Sequence, residues 1–310
     1  MNLLELCKPG KKTKIAIPVP NAQGLQAYLI RGSKPGKTLA ITAGVHGCEY
    51  VSIQAAREFV NDIEPQSLSG NVLVIPVVNE QGFFKGAKQI VPEDGLNLNR
   101  RFPGSSHGTI TDRIAYAVET VIYPAADFLI DLHGGDVHES MTPLVFFPVG
   151  AGKEIEQKTR AATDFLTVSY RVQSRADNGL YSYATQCQIP ALLIERGCGG
   201  KWTAQEVEEY KQNIYQIMAY LHICSGKKNI VPPVEIREVS YEEASEQGFW
   251  YCNVKAGEIV PKGYLLGHLE DFDGNLIKTY TAAYDGVALY LANSLGVSKG
   301  DGILAFGKIP

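Results

Sequence analysis

No stretch of this 310-residue chain approaches the roughly 20 consecutive apolar residues that a membrane span requires, so no membrane partner is expected. A basic surplus is missing as well. With 29 Lys and Arg against 33 Asp and Glu, the net charge is −4, which leaves nothing to neutralise phosphates and argues against a nucleic-acid partner. The six cysteines (Cys7, Cys48, Cys187, Cys198, Cys224 and Cys252) contain no C-x-x-C pair. Such scattered thiols suit a reducing compartment better than a disulfide framework, and a cytoplasmic location is expected. The segment Met1 to Lys8 has no basic start and its apolar stretch is broken by Glu5, unlike a secretory signal.

What is present is an ordinary globular mixture, 45% hydrophobic and 20% charged, long enough for one large domain or two unequal ones. Residues 14–19 and 25–30 read as two short strands around the turn-forming Asn21 to Gly24, an antiparallel edge. Beyond Gly36, short apolar runs (Leu39–Thr42, Val72–Val78, Phe128–Leu132, Phe165–Val168, Ala191–Ile194) alternate with helical stretches near 50–62, 110–122, 154–164, 179–187 and 203–222. That alternation predicts an α/β sandwich with a largely parallel, buried sheet, whose sites form at the carboxyl ends of the strands. Ile230-Val-Pro-Pro233 reads as a stiff linker. The remainder is rich in glycine and alternating apolar residues with no helical period, as in a small β-domain. The expected division is therefore residues 1–229 and 230–310.

Three charged groups appear where apolar strands end. In Thr42-Ala-Gly-Val-His46-Gly-Cys-Glu49, an imidazole and a carboxylate three residues apart can reach one metal ion from the same side, as at catalytic zinc. A capped helix start is the alternative, and Cys48 between them is read first as a small packed hydrophobe. In Phe128-Leu-Ile-Asp131-Leu-His133-Gly-Gly, His133 is a third candidate ligand. Asp131 shares its strand face and is placed to orient the ring. Glu195 ends the run Ala-Leu-Leu-Ile-Glu195-Arg-Gly, where a partly desolvated carboxylate with a raised pKa suits a general base; an ion pair with Arg196 is the alternative. In Asn97-Leu-Asn99-Arg100-Arg101-Phe-Pro-Gly104, Asn99 and Arg100 form a candidate anion clamp. His138 with Glu139, and Tyr181 with Tyr183, are further candidates for the cleft wall.

In this order, His-x-x-Glu after a strand, Asn-Arg-x-Phe-Pro-Gly, Asp-x-His-Gly and Ile-Glu-x-Gly resemble the succinylglutamate desuccinylase and aspartoacylase family of the zinc carboxypeptidase superfamily, over roughly residues 35–225. The resemblance implies a three-layer α/β/α zinc-carboxypeptidase-like sandwich with a mixed, largely parallel sheet, plus a C-terminal all-β, barrel-sandwich-like domain; that domain is a candidate active-site lid. It implies one Zn2+ per chain on His46, Glu49 and His133, Glu195 as the base, and Asn99 with Arg100 on the substrate carboxylate. Two positions depart from the family pattern. Lys88 stands where relatives commonly carry a carbonyl-polarising arginine, and is the candidate for that catalytic role; Thr185 stands where aspartoacylase-like members carry an arginine for a second acidic group.

The expected activity is zinc-dependent hydrolysis of the amide of a small N-acylated amino acid. A metallocarboxypeptidase acting on short peptides is the alternative within hydrolases. The alternative of another class is a non-catalytic small-molecule binding protein or a lipoyl- or biotinyl-like carrier, with Lys278 the lysine examined for that role. The expected partner is a small-molecule N-acyl amino acid, and a homo-oligomer is left open.

Overall fold

The apolar runs become the interior strands of a nine-stranded sheet. A computed structural model describes residues 3–310. In chain order the first half holds β1 (Lys11–Ile17), β2 (Leu25–Arg31), β3 (Lys34–Ala43), α1 (Tyr50–Asp62), β4 (Ser69–Ile75), α2 (Glu80–Lys85) and α3 (Ile110–Ala117). There follow β5 (Phe128–His133), β6 (Glu139–Met141), β7 (Leu144–Pro148), α4 (Lys153–Thr163), β8 (Tyr170–Ser174), α5 (Leu180–Gln186), β9 (Ala191–Glu195), α6 (Ala204–Tyr220) and β10 (Val234–Ile236). The sheet runs β1-β2-β4-β3-β5-β9-β7-β8-β10. Its centre, β4-β3-β5-β9, is parallel; β7 runs antiparallel to β9, and β8 and β10 follow β7 in parallel. The first two strands form the antiparallel edge expected from the sequence.

Side-chain alternation along the central strands builds two cores. Leu39, Ile41, Phe128, Ile130, Leu192 and Ile194 face α1, α4 and α6. Their neighbours Ala40, Leu129, Ala191 and Leu193 face α3 and α5. A sheet apolar on both faces must be covered on both, and the result is a three-layer α/β/α sandwich with a mixed, largely parallel sheet.

One strand lies away from where an apolar run placed it, and a second, β7, is not among those runs. Phe165–Val168 is the turn leaving α4, with the amides of Phe165 and Leu166 bonded back to Ala162 and Thr163; the nearby strand is β8. Its apolar pattern is interrupted by Arg171, which is buried in ion pairs with Asp164 at 2.6 Å and Glu235 at 3.1 Å. β7 is hidden by Pro143 before it and Pro148 at its end, residues that usually stop strands.

The C-terminal strands are β11 (Val239–Glu243), β12 (Gly248–Cys252), β13 (Ile259–Val260), β14 (Leu265–Glu270), β15 (Leu276–Thr281), β16 (Gly286–Ala292), β17 (Gly296–Val297) and β18 (Gly302–Lys308). They form the sheets β11-β18-β16-β13 and β15-β14-β12-β17, which share a core containing Trp250, Leu269, Tyr280 and Phe306. The two Lys-Gly turns are alike: Gly263 and Gly300 both have φ of +84°, where a side chain would be strained. Strands are exchanged between the halves. β10, just past the 230–233 linker, extends the large sheet beside β8, whereas β6 pairs with β16. Among the described residues, no helix is long and apolar enough to cross a membrane.

One side chain ties the helical layer to the strand ends. Tyr210 of α6 is fully buried, and its hydroxyl lies 2.6 Å from the His133 carbonyl and 2.5 Å from that of Ile194. Tyr210→Phe leaves those carbonyls without this donor and should lower stability by about 1–3 kcal/mol, read as a lower urea midpoint at unchanged slope.

Candidate active site and metal centre

β3, β5 and β9 lie side by side, and each delivers a functional side chain where its apolar run ends. After β3, Gly44 (φ +66°) turns the chain, and Gly47 packs against α2 so closely that a Cβ there would sit 2.0 Å from the Gly82 carbonyl carbon. Only glycine fits that approach, and it holds His46 and Glu49 at the start of α1. Glu49 occupies the N-cap position but makes no side-chain cap bond. Its carboxylate is turned inward: Oε1 lies 2.7 Å from His46 Nδ1, and Oε2 lies 3.0 Å from His133 Nδ1 while accepting the Gly134 amide at 3.1 Å.

Further contacts fix both rings. His133 Nε2 lies 3.0 Å from Asp131 Oδ2, and Asp131 Oδ1 accepts from the Thr42 hydroxyl at 2.7 Å. His46 Nε2 lies 3.2 Å from Asn97 Oδ1. The three side chains His46, Glu49 and His133 are buried, and they offer donor atoms within 4.8 Å of one another. Two imidazoles and one carboxylate, one ring oriented by a further carboxylate, form the donor set that suits zinc with a position left open. Cys48 is not among them. Burial pushes its thiol up to about 11, and it is packed as a small apolar residue.

Charge balance follows from this packing. Burial alone would raise the Glu49 carboxyl, but the two imidazoles outweigh it and hold it at about 2. His133 is displaced the other way: despite burial, Glu49 and Asp131 hold it well above the usual histidine range. Glu195, whose Oε2 is buried with no hydrogen-bond partner, is pushed well above the carboxylate range by burial first and then by Glu49, Glu139 and Asp131, against the opposing pull of His133. Its sequence neighbour Arg196 points elsewhere and pairs with Glu206 and Glu209 of α6. Glu139 is raised to about 7 by burial and by the charges of Asp136 and Glu49.

These groups open onto a cavity of about 720 Å³ lined by His46, Glu49, Asn99, Arg100, His133, Glu139 and Glu195, with Tyr181 and strands of the C-terminal region on its wall. Asn99 is buried; its Oδ1 accepts the Leu180 amide at the start of α5 at 2.9 Å, and its Nδ2 is left to donate. Arg100 is exposed beside it and donates to the Asn99 carbonyl at 2.7 Å.

Lys88 is placed differently from the other candidates. Its Nζ lies 3.5 Å from Asp136 Oδ2, and the adjacent Gln89 lines the cavity in its stead. Thr185 is buried with its hydroxyl on the Ser182 carbonyl, away from the cavity, while Arg175 and Arg237 reach the wall. Of the secondary candidates, Glu139 and Tyr181 line the cavity, whereas Tyr183 packs near Tyr123. Lys278 lies in β15 with its ammonium 4.4 Å from the Tyr280 ring centre, not at the tip of a hairpin. Asn97, and Tyr290 on β16, were not singled out in the sequence. The alternation Asn97-Leu-Asn99 could have signalled the first; nothing local marks the second.

A mixed sheet with a crevice at the carboxyl ends of its strands, where histidine and carboxylate side chains that could hold a metal gather, defines a class of α/β proteins. More narrowly, the succinylglutamate desuccinylase/aspartoacylase catalytic domain matches residues 35–221, and the chain belongs to that family. The N-α-acetyl-L-2,4-diaminobutyric acid deacetylase of Halomonas elongata is 25% identical over 289 residues, 88% of this chain and 83% of that protein. The product-bound ectoine utilization protein EutE (DoeB) from Ruegeria pomeroyi shares the fold with a TM-score of 0.84 at 23% identity, over 95% of this chain and 93% of the other. A succinylglutamate desuccinylase/aspartoacylase from Rhodobacter sphaeroides superposes with a TM-score of 0.86 at 22% identity, over 97% and 95%.

Thiol reactivity tests this packing directly. With its thiol buried and raised to about 11, Cys48 holds little thiolate at pH 8. Iodoacetamide should label the exposed Cys198 in the folded protein and Cys48 only after denaturation, as read by peptide mass spectrometry.

Proposed function

We propose that the chain is a zinc-dependent amidohydrolase that releases the acyl group from a small N-acyl amino acid. The observation that carries this reading is the juxtaposition, on one cavity, of the His46–Glu49–His133 donor set and the unpartnered Glu195 carboxylate. Zinc held by those three residues would supply a Lewis acid that polarises the acyl carbonyl and makes water acidic near neutral pH. Glu195 takes the proton of the attacking water and passes it to the leaving amine. The burial and the neighbouring acids that raise its pKa suit both halves of that task. The Asn99 amide and the Arg100 guanidinium hold the substrate α-carboxylate, which sets the scissile amide against Glu195.

Asp131 and Asn97 keep the two imidazoles in orientation. Lys88, tied to Asp136, contributes by neutralising that carboxylate and not by touching the carbonyl. The C-terminal strands enclose the substrate on one side of the cavity, and the family match favours a deacylase over a peptidase. The activity of the Halomonas relative makes N-α-acetyl-2,4-diaminobutyrate one member of the substrate panel.

Metal content and turnover on N-acetyl and N-succinyl amino acids, with dipeptides for comparison, test the reading. Hydrolysis confined to dipeptides, or none at all, sinks it. Glu195→Gln should lower kcat by roughly 10²- to 10⁴-fold while zinc stays bound; unchanged turnover removes Glu195 from the chemistry. His46→Ala should lose the metal, and a full complement of zinc in that variant overturns the ligand assignment.

A further inference from the structure

A second groove, of about 850 Å³, lies between β2, α1 and α2 and shares no lining residue with the catalytic cavity. Its walls hold five aromatic rings: Tyr28, Tyr50, Phe83, Phe84 and Trp202. Tyr50 packs edge-on against Phe83 with ring centres 5.8 Å apart, and Phe83 against Phe84 at 5.1 Å. Even so, Phe84 is 74% exposed and Trp202 54%. Ring surface gathered in one place and left in water marks a contact site.

The charges at this surface indicate what covers it. Arg57 of α1 is the charged residue lining the groove; it donates to the Gln54 side chain at 3.3 Å, and no acid pairs with it among the described residues. Glu80, the first residue of α2, accepts one long hydrogen bond from the Gln23 side chain at 3.4 Å, and no cation pairs with it among the described residues. Both side chains are exposed. Glu80 and Phe84 are four residues apart and so share a face of α2. That helix is held firmly, because its Gly82 packs against Gly47 and donates its amide to Asn79 at 2.8 Å. The surface therefore presents a protruding ring beside an acid, and next to them an aromatic groove beside a cation. Acid and cation do not pair with each other inside the chain. A surface that carries both halves of a complementary contact is what a two-fold interface between identical chains requires, since each copy supplies what the other lacks.

We propose that this surface binds a second copy of the chain, with Phe84 of each copy in the aromatic groove of the other and Glu80 of each paired with Arg57 of the other. The two-fold makes every contact occur twice. The rings supply most of the affinity, and the ion pairs at the rim set the orientation. The assignment goes beyond the deacylase reading and does not depend on it.

Analytical ultracentrifugation of the full-length protein over a range of concentrations tests it. The wild-type chain should sediment as a dimer. Phe84→Ala should raise the dimer dissociation constant by roughly 30-fold or more, the loss of an aromatic anchor present twice. Because Phe84, Arg57 and Glu80 are exposed, their variants should keep the circular dichroism of the wild type. Arg57→Glu and Glu80→Arg should each weaken the dimer by roughly 10-fold, since each sets like charges against one another, and the two together should restore it. A wild-type chain that stays monomeric up to roughly 100 μM overturns the proposal. So does a dimer that none of these variants weakens, because its contact then lies on another face. A combined variant no tighter than the single reversals overturns the Arg57 and Glu80 pairing.

Discussion

Much of this structure follows from the need to compensate charge inside a buried sheet. Glu49 is 4% exposed, and an isolated carboxylate so placed would not stay ionised. It does so because His46 and His133 arrive from two adjacent parallel strand ends and the Gly134 amide completes its shell. That arrangement requires β3 and β5 in their observed register, Gly44 and Gly47 at the turn, and Asp131 behind His133. Asp131 in turn needs the Thr42 hydroxyl on the neighbouring strand. Each partner is itself buried, so satisfying one group recruits the next, and the chain of contacts joins two segments far apart in sequence.

How much of this could be read in advance depended on whether a signal was local. His46, Glu49, His133 and Glu195 were legible because a charged or imidazole side chain at the end of an apolar strand, followed by glycine, stands out in its own neighbourhood. The three-layer fold was legible for the same reason: strands apolar on both faces alternate with amphipathic helices. What escaped was nonlocal. β8 was obscured by Arg171, whose partner Glu235 lies 64 residues away. Lys88 could be assigned by its place in a motif, but its tie to Asp136, 48 positions on, comes only from the folded chain. Tyr290 and the other C-terminal wall residues reach the cavity through pairing between sheets, which no short window encodes.

The strand exchange bears on the nature of that wall. The linker at 230–233 marks a change of composition, yet β10 continues the large sheet past it, anchored by Glu235 to Arg171 and Arg160. In the other direction, β6 leaves the catalytic region to pair with β16, and Asn293 and Ser140 exchange a side-chain hydrogen bond across the same junction. A lid that swings on a single linker would need neither attachment. Opening here would break a parallel strand pairing with its buried ion pairs at one junction or an antiparallel pairing at the other. With the wall attached at two points, the size of the cavity is set by packing. The same β6 that fastens the C-terminal sheet also carries Glu139 into the cavity wall, so one element both joins the two halves and lines the site.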